Sequence, residues 1–489
     1  MIHRLRPLLF WLFVGAFFVT ATTVIFYTFG YRFNIGRGIF IYTGSISIKS
    51  NPGIVDITID GEAIPQAHLG ILNNSIHIAG LAPGEHFLEV SAPGYRLWTK
   101  KAVVRSGLTT EFWNVLLVKE NYAPLSIPNT DHVIRLFRAP ANKLFALVRK
   151  NGTVYSVDTL DMNTGDETQV FSTSDAVITP DNDENIEWSP ESHKLTIPVT
   201  QAGVRAYYVV DIATKNAQRL SELTQIKDPL HSPRWDPTTK NILFFLGGAT
   251  LYSIDTESPE SAPLRIKEGV QAYDLSSQNM YYLSSENGTV YETPLNATES
   301  DPEQITLTPV NLDPLSSYAL IVYDKDRLTI LNRSTGSLSV FNRNTKENPL
   351  VEFGTGVRGS QFSDDGKKLL FFTDNEISVY FLSDWEVQPI RLANTTMQIA
   401  RFSSSLQSVQ WTKDYEHVLF ALNGNVKIVE LDNRDRRNLT DVITYPAPIL
   451  QILSRFEENQ IYFVRSDNAD QNTVESIGFP QITGLFGLQ

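Results

Sequence analysis

One pattern occurs eight times in this chain, between Phe137 and Phe463. Each copy has an aromatic residue or leucine, then a short polar turn, then an apolar strand. The clearest copy is Phe362-Ser363-Asp364-Asp365-Gly366-Lys367-Lys368-Leu369-Leu370-Phe371. Successive copies begin about 45 residues apart, the length of one four-stranded propeller blade. Their first residues are Phe137, Trp188, Trp235, Tyr273, Leu312, Phe362, Trp411 and Leu453.

A second pair of apolar segments follows within most copies, joined by a tight polar turn. These turns are Asn151-Gly152, Gly247-Gly248, Asn287-Gly288 and Asn423-Gly424, dipeptides that favour type I′ hairpins. Such a sheet cannot bury both of its faces alone, whereas a ring of neighbouring sheets covers them and leaves only short edges. The sequence therefore predicts a β-propeller, with eight blades favoured. Seven blades is the alternative, because the copies at Leu312 and Leu453 lack the leading aromatic ring.

Composition narrows the function classes. A formal net charge of −13 over 489 residues argues against sequence-independent nucleic-acid binding, which needs a basic surface to displace counterions from phosphates. The chain has no cysteine, which excludes disulfides, thiolate metal sites and cysteine nucleophiles. We therefore expect no nucleic-acid partner.

No charged residue occurs between Leu8 and Phe29. About 20 apolar residues suffice to cross the hydrocarbon core of a bilayer, so this segment predicts a transmembrane anchor. The alternative is a signal peptide cleaved after Val19-Thr20-Ala21, but the hydrophobic run continues beyond that point. A short basic N-terminus ahead of a long chain favours a cytoplasmic N-terminus, with the bulk of the chain outside the cell membrane.

Residues 44–118 predict a compact β module. Ile46 and Ile48 alternate with serines as in a half-buried strand, and Asp60-Gly61 is a strong hairpin turn. Ser50-Asn51-Pro52-Gly53, Leu81-Ala82-Pro83-Gly84-Glu85-His86 and Ala92-Pro93-Gly94-Tyr95 resemble the PEGA family. These are small β-sandwich modules of bacterial and archaeal surface and envelope proteins. The sequence departs from the family after Gly61, where Ala63-Ile64-Pro65 replaces the usual Gly-x-Thr-Pro.

The PEGA resemblance implies an extracytoplasmic spacer or adhesion-like module without catalytic residues. Within it, we expect His86 and Tyr95 to pack and form hydrogen bonds rather than to bind a ligand. The later repeats resemble the WD40-like blades of TolB-type propellers, whose motif is aromatic-Ser-Pro-Asp-Gly-Lys. Phe362-Ser363-Asp364-Asp365-Gly366-Lys367 is the nearest copy. That resemblance implies a binding platform.

Motifs of common catalytic sites are missing from the sequence. It contains no Gly-x-Ser-x-Gly, no His-Glu-x-x-His and no P-loop. The acidic segment Asp181-Asn182-Asp183-Glu184-Asn185 lacks the glycine and the bidentate glutamate of a calcium loop. Asp364-Asp365 is expected to cap a blade turn. We therefore predict no catalytic, cofactor-binding or metal-binding residues, and we expect Trp188, Trp235, Phe362 and Trp411 to be buried between blades.

The predicted fold class is all-β with one N-terminal transmembrane helix, a small β-sandwich and the propeller. The predicted domains are a cytoplasmic stub and anchor (1–30), a juxtamembrane linker (31–43), the PEGA-like sandwich (44–118), a linker (119–131), the propeller (132–482) and a tail (483–489). The sequence favours a single-pass envelope protein, not an enzyme, that binds an envelope protein or glycan of unknown identity. The alternative is a carbohydrate-active enzyme, a glycoside hydrolase or lyase, with paired carboxylates in the propeller channel.

Overall fold

The computed structural model describes residues 2–34, 39–65, 75–162, 164–178, 185–258, 261–295, 301–345, 349–455, 458–468 and 471–480. These residues form helix α1 (Ile2–Thr28), a one-turn helix α2 (Leu220–Thr224) and 41 β-strands. The fold is therefore all-β with one N-terminal apolar helix, as the sequence predicts. Residues 181–184 of the acidic segment and the tail 483–489 lie outside the described residues.

Helix α1 contains the uncharged segment as far as Thr28, and its side chains from Leu9 onward pack against little else in the chain. The helical segment formed by residues 9–28 is long and apolar enough to cross a membrane. The segment after the helix, expected to be a linker, contains a hairpin of strands β1 (Tyr31–Asn34) and β2 (Ile39–Tyr42).

A β-sandwich of two sheets follows the hairpin. One sheet has the order β6-β3-β9 and the other has the order β5-β4-β7-β8. The inward-facing isoleucines of β3 and β4 and the leucine and valine of β7 form its core. Asp60 and Gly61 both have positive φ, as a type I′ turn requires. The strands are β3 (Gly44–Asn51), β4 (Asp56–Ile59), β5 (Glu62–Ala63), β6 (Ser75–Leu81), β7 (Gly84–Ser91), β8 (Trp98–Val104) and β9 (Thr109–Leu116).

The remaining strands form eight four-stranded antiparallel sheets, the blades of the propeller. Blades 1 to 7 each use four consecutive strands. Blade 1 has β11 (Val133–Arg138), β12 (Leu144–Asn151), β13 (Val154–Asp161) and β14 (Glu167–Thr173); blade 2 has β15 (Glu187–Trp188), β16 (Lys194–Gln201), β17 (Val204–Asp211) and β18 (Ala217–Arg219); blade 3 has β19 (Leu230–Trp235), β20 (Ile242–Gly247), β21 (Thr250–Asp255) and β22 (Leu264–Glu268); blade 4 has β23 (Val270–Leu275), β24 (Asn279–Ser284), β25 (Val290–Pro294) and β26 (Glu303–Gln304). Blade 5 has β27 (Tyr318–Asp324), β28 (Arg327–Asn332), β29 (Leu338–Asn342) and β30 (Leu350–Phe353); blade 6 has β31 (Val357–Phe362), β32 (Lys368–Thr373), β33 (Glu376–Phe381) and β34 (Thr395–Arg401); blade 7 has β35 (Gln407–Trp411), β36 (His417–Leu422), β37 (Asn425–Glu430) and β38 (Leu439–Thr444).

Blade 8 closes the ring with strands from two distant parts of the chain. Its inner strands are β39 (Ile449–Arg455), β40 (Gln460–Asn468) and β41 (Gln471–Gly478). Its outer strand, β10 (Leu125–Ser126), lies in the segment expected to be a linker and pairs with β41. This pairing joins the start of the propeller to its end, and it covers a sheet edge that would otherwise expose unpaired backbone groups.

The first strand of a blade ends one residue before a polar turn, at the position of Trp188, Trp235, Phe362 and Trp411. Four of the predicted starting residues do not occupy this position. The turn bonds place Arg138, Leu275 and Ser454 there, so Phe137, Tyr273 and Leu453 lie one or two residues early. Leu312 lies in the loop before β27, and the first strand of blade 5 is irregular between Val322 and Asp324, just before its turn. β-Bulges and that loop add residues that obscure the repeat.

Candidate functional site

The first strands of blades 2 to 7 line a central cavity of about 570 Å³. Its walls are mixed in character, with both charged and aromatic side chains. The charged groups are Glu187, Arg234, Arg333 and Arg358, and the rings include Tyr273, Tyr318 and Phe372. A polar channel in the middle of a ring is the usual place to look for a ligand site, so the partners of its side chains matter.

Many of the polar groups around this channel join neighbouring blades. Glu187 of blade 2 accepts two hydrogen bonds from Trp235 of blade 3, one from the backbone N–H to Oε1 (3.2 Å) and one from the indole Nε1–H to its carbonyl (3.3 Å). Gln361 of blade 6 accepts the same two bonds from Trp411 of blade 7, at 3.2 and 3.0 Å. In both cases, the second-last residue of the first strand in one blade accepts hydrogen bonds from the tryptophan of the next blade.

All eight joints of the ring have a hydrogen bond between blades that involves a first strand or the turn after it. The remaining bonds, in order round the ring, run from Trp188 Nε1 to the Phe137 carbonyl (3.1 Å), from the Tyr273 hydroxyl to the Ser232 carbonyl (2.6 Å), from Val322 N to Asp274 Oδ2 (2.9 Å), from the Tyr323 hydroxyl to the Asp364 carbonyl (2.7 Å), from Ser454 Oγ to Gln410 Oε1 (2.9 Å) and from Gln451 Nε2 to the Leu136 carbonyl (2.9 Å).

These contacts assign the recurring aromatic residues to packing. Trp188, Trp235 and Trp411 are buried, as predicted, and each indole N–H is bonded to the preceding blade. Phe362 is only half-buried; it packs against the ring of Tyr323 from blade 5, with ring centroids 5.6 Å apart. The rings therefore stabilise the joints between blades.

In three consecutive blades, a charged side chain lies one residue before the last residue ahead of the polar turn, and the sign of its charge alternates from blade to blade. These are Glu187, Arg234 and Asp274, from blades 2, 3 and 4. Burial raises the pKa of Glu187 to about 7 and also raises the pKa of Asp274, although Arg234 lowers both. Burial opposes the charge on Arg234, but the two carboxylates outweigh it and raise the pKa of its guanidinium. The three side chains therefore interact electrostatically around one side of the channel.

A second polar cluster joins the sandwich to blade 7. Lys100 of β8 is 0% exposed and forms an ion pair with Glu430 of β37, whose side chain is 5% exposed. The Lys100 ammonium also donates to the carbonyls of Asp432 (3.0 Å) and Arg436 (2.7 Å). Trp98 donates its indole N–H to the other oxygen of Glu430 at 3.0 Å. Every donor of this buried lysine thus has a partner on the propeller.

Further contacts surround this ion pair. Trp113 of the sandwich stacks on Trp385 of blade 6, with ring centroids 6.0 Å apart, and its indole N–H donates to the Gln388 carbonyl at 3.1 Å. The Arg434 guanidinium lies 4.0 Å from the ring centre of Phe112. The loops that carry Trp385 and Arg434 connect the third and fourth strands of their blades. In an antiparallel sheet these loops lie at the same end as the turns between the first and second strands. The sandwich therefore docks on the face of blades 6 and 7 opposite the Asn-Gly hairpins.

The other residues considered from the sequence form hydrogen bonds or packing contacts within their own domains. The ring nitrogens of His86 lie 2.6 Å from Asp60 Oδ2 and 2.6 Å from the Ala82 carbonyl, and Tyr95 packs against the sandwich core. Asp365 accepts hydrogen bonds from Ser363 Oγ (2.6 Å) and Lys367 N (3.0 Å), which caps the turn as predicted. Within the described parts of the chain, no group of three or more histidine, aspartate or glutamate side chains could hold a metal ion.

Sequence reasoning missed Lys100 and Glu430. A signal for both was present in the strand alternation. Lys100 lies on the same side of its strand as the buried Trp98 and Ala102, because each of these residues is two positions from the next. Glu430 likewise lies on the same side of its strand as the buried Val426 and Ile428. A charged residue on the apolar side of a strand indicates a buried partner. The identity of that partner, 330 residues away, is not visible in the sequence.

Parts of the chain are similar to known proteins. Residues 43–121 match the model of the PEGA domain. No curated protein matches. Among solved structures, Hsv2 of Kluyveromyces lactis is similar at 10% identity and a TM-score of 0.40, over 64% of this chain and 98% of that chain. A chain of a mitotic checkpoint complex has 10% identity and a TM-score of 0.40, over 74% of this chain and 97% of that chain. The propeller assignment rests on the eight sheets themselves, and residues 43–121 of the chain are a PEGA domain.

Proposed function

We propose that this protein is a single-pass membrane protein that displays its PEGA domain and propeller outside the cell membrane as a scaffold for an envelope protein or glycan. The observation that carries the proposal is the use of the polar residues round the channel. At every joint of the ring, polar groups are committed to neighbouring blades. This arrangement supports a stable display surface.

The docking of the PEGA domain supports the same proposal and suggests where a partner binds. The domain covers part of the face of blades 6 and 7 that carries the Trp385 and Arg434 loops. The described residues of the PEGA domain do not cover the opposite face, which carries hairpins such as Asn423-Gly424. We therefore infer that the partner binds at the hairpin face.

Impermeant labelling of intact cells tests the topology. Because the chain has no cysteine, Leu315→Cys introduces a single reactive thiol at a residue that is 95% exposed on the propeller. A membrane-impermeant maleimide should label this variant in intact cells, whereas Ile2→Cys, ahead of the span, should be labelled only after lysis. Labelling of Ile2→Cys alone in intact cells would reverse the orientation, and a labelled chain free in the medium would contradict the anchor.

Two carboxyls on the first strands of blades 2 and 4, of which Glu187 lines the channel, favour a second candidate, the carbohydrate-active enzyme. Glu187 has a pKa raised to about 7, as a general acid requires, and Asp274 lies near it. However, Gln361 occupies the position of Glu187 in blade 6 and accepts the same two bonds, so the joint needs an acceptor and no proton donor. Sugar release from isolated cell envelopes distinguishes the two functions. A scaffold predicts equal, background release by the parent and Glu187→Gln; release that this substitution abolishes would establish the enzyme.

A further inference from the structure

The hairpin between the apolar helix and the PEGA domain has a face made of aromatic side chains. Its cross-strand pairs are Tyr31 with Tyr42 and Phe33 with Phe40. Residues two apart in a strand point to the same side, and directly paired residues share a side, so all four rings lie on one face. A four-residue strand pair with such a face has no core of its own to bury it.

This aromatic face continues the apolar surface of the helix. Phe26, in the last turn of α1, contacts Tyr31 edge-on at 5.4 Å and stacks on Phe40 at 5.8 Å between ring centroids. Phe26 belongs to the uncharged segment that could cross a membrane. The hairpin therefore lies beside the final turn of that segment.

The outer rings of the hairpin have little protein cover. Phe33 is 55% exposed and Phe40 is 54% exposed, and Tyr27 and Phe29 at the end of the helix are exposed too. Exposed aromatic clusters of this kind are costly in water, whereas aromatic side chains are favoured at the membrane–water interface. Resting on the proposed membrane anchor, we propose that the β1–β2 hairpin is a second membrane-binding element, with its aromatic face in the headgroup layer of the bilayer that α1 crosses.

The hairpin is also tied to the PEGA domain. Thr43, directly after β2, donates its backbone N–H (3.0 Å) and its hydroxyl (2.6 Å) to the Gly30 carbonyl, and its own carbonyl accepts the Gly107 N–H at 2.9 Å. Gly107 has φ +71°, and a Cβ there would lie 2.5 Å from the Tyr42 hydroxyl. These close contacts link helix, hairpin and PEGA domain, so a hairpin seated in the interface holds the PEGA domain at the membrane surface.

Spin labels on single cysteines test this depth in the full-length protein. Phe33→Cys and Phe40→Cys each keep the other ring of the pair. Phe17→Cys in α1 and Leu315→Cys in the propeller are the lipid and water references. Each labelled variant is reconstituted into vesicles of phosphatidylcholine and phosphatidylglycerol, and power saturation compares collisions with oxygen, which concentrates in lipid, and with a water-soluble nickel chelate.

We expect both hairpin labels to have an oxygen-to-nickel collision ratio several-fold above that of Leu315→Cys and below that of Phe17→Cys. Hairpin labels that match Leu315→Cys while Phe17→Cys remains in lipid would overturn the hairpin inference and leave the anchor intact. A water-exposed Phe17→Cys would overturn the anchor and the hairpin inference together. Hairpin labels shielded from both reagents would show a protein partner in place of lipid, which also overturns the inference.

Discussion

Removing the charge of Lys100 should loosen the PEGA domain from the propeller. Lys100→Met keeps the aliphatic stem but leaves Glu430 buried without its ion-pair partner. Loss of one member of a buried pair costs about 3–5 kcal/mol, since the other charge stays desolvated. Glu430 keeps the donors Trp98 Nε1–H, Asn438 N–H and Asn438 Nδ2–H, which places the expected cost at the lower end of that range.

Hydrogen exchange measures this loosening locally. The backbone N–H of Lys101 donates to Asp435 Oδ2 at 3.1 Å across the contact, so its exchange reports separation of the two modules. A cost of about 3 kcal/mol corresponds to exchange faster by roughly 100-fold, because each 1.4 kcal/mol is a factor of ten. Blade 2, remote from the contact, should exchange at the parent rate.

Two variants control this experiment. Lys150→Met removes an exposed lysine on blade 1, away from the contact, and should leave exchange at the contact unchanged. Lys100→Met combined with Glu430→Gln removes both charges, and should recover much of the loss because no unpaired charge stays buried. If the Lys101 N–H exchanged no faster in Lys100→Met than in Lys150→Met, the ion pair would not hold the contact, and the reasoning would be refuted.

Three further outcomes are expected. Trp411→Ala removes a ring that is 3% exposed and should cost about 3–5 kcal/mol, seen as a lower melting temperature by calorimetry, whereas Leu439→Ala, at an exposed site, should melt close to the parent. The raised pKa of Glu187 means that its neutral form stabilises the fold below pH 4.5 and that this contribution is lost as the pH rises through about 7. The melting temperature of the parent, measured against pH, should therefore fall over that interval relative to Glu187→Gln. The pKa of His417 is also raised: burial lowers it, but the neighbouring Asp414 raises it by more. The charged histidine therefore stabilises the fold at low pH, and His417→Gln should destabilise the protein more at pH 6 than at pH 9 in thermal melts.

Local signals in the sequence predicted the blades well. Asn423 and Gly424 both have positive φ, so the identity of two adjacent residues is enough to fix a hairpin between β36 and β37. The Asp60-Gly61 turn is predictable for the same reason. The blade starts were harder, because a bulge such as that between Val270 and Ala272 shifts the repeat without changing its composition.

Contacts between distant segments were not predictable. The Lys100–Glu430 pair depends on how two folded modules meet, and neither strand indicates its partner. The hairpin after α1 illustrates a different failure. Tyr31 and Phe33, then Phe40 and Tyr42, alternate with the period of strands, yet a four-residue strand pair is marginal in water and a linker was the simpler prediction. The contact with Phe26 and the bonds through Thr43 stabilise it, and these are tertiary interactions.

The joints of the ring also bear on where binding specificity lies. At one equivalent position, blades 2, 3, 4, 6 and 7 carry Glu187, Arg234, Asp274, Gln361 and Gln410, so the fold tolerates acid, base or amide there. Where the residue is Glu187 or Gln361, its side-chain oxygen and its carbonyl hold the tryptophan of the next blade. Substitutions at these positions should therefore alter stability before they alter recognition. Residues that select a partner should lie outside the joints, in loops whose backbone the blades hold in place.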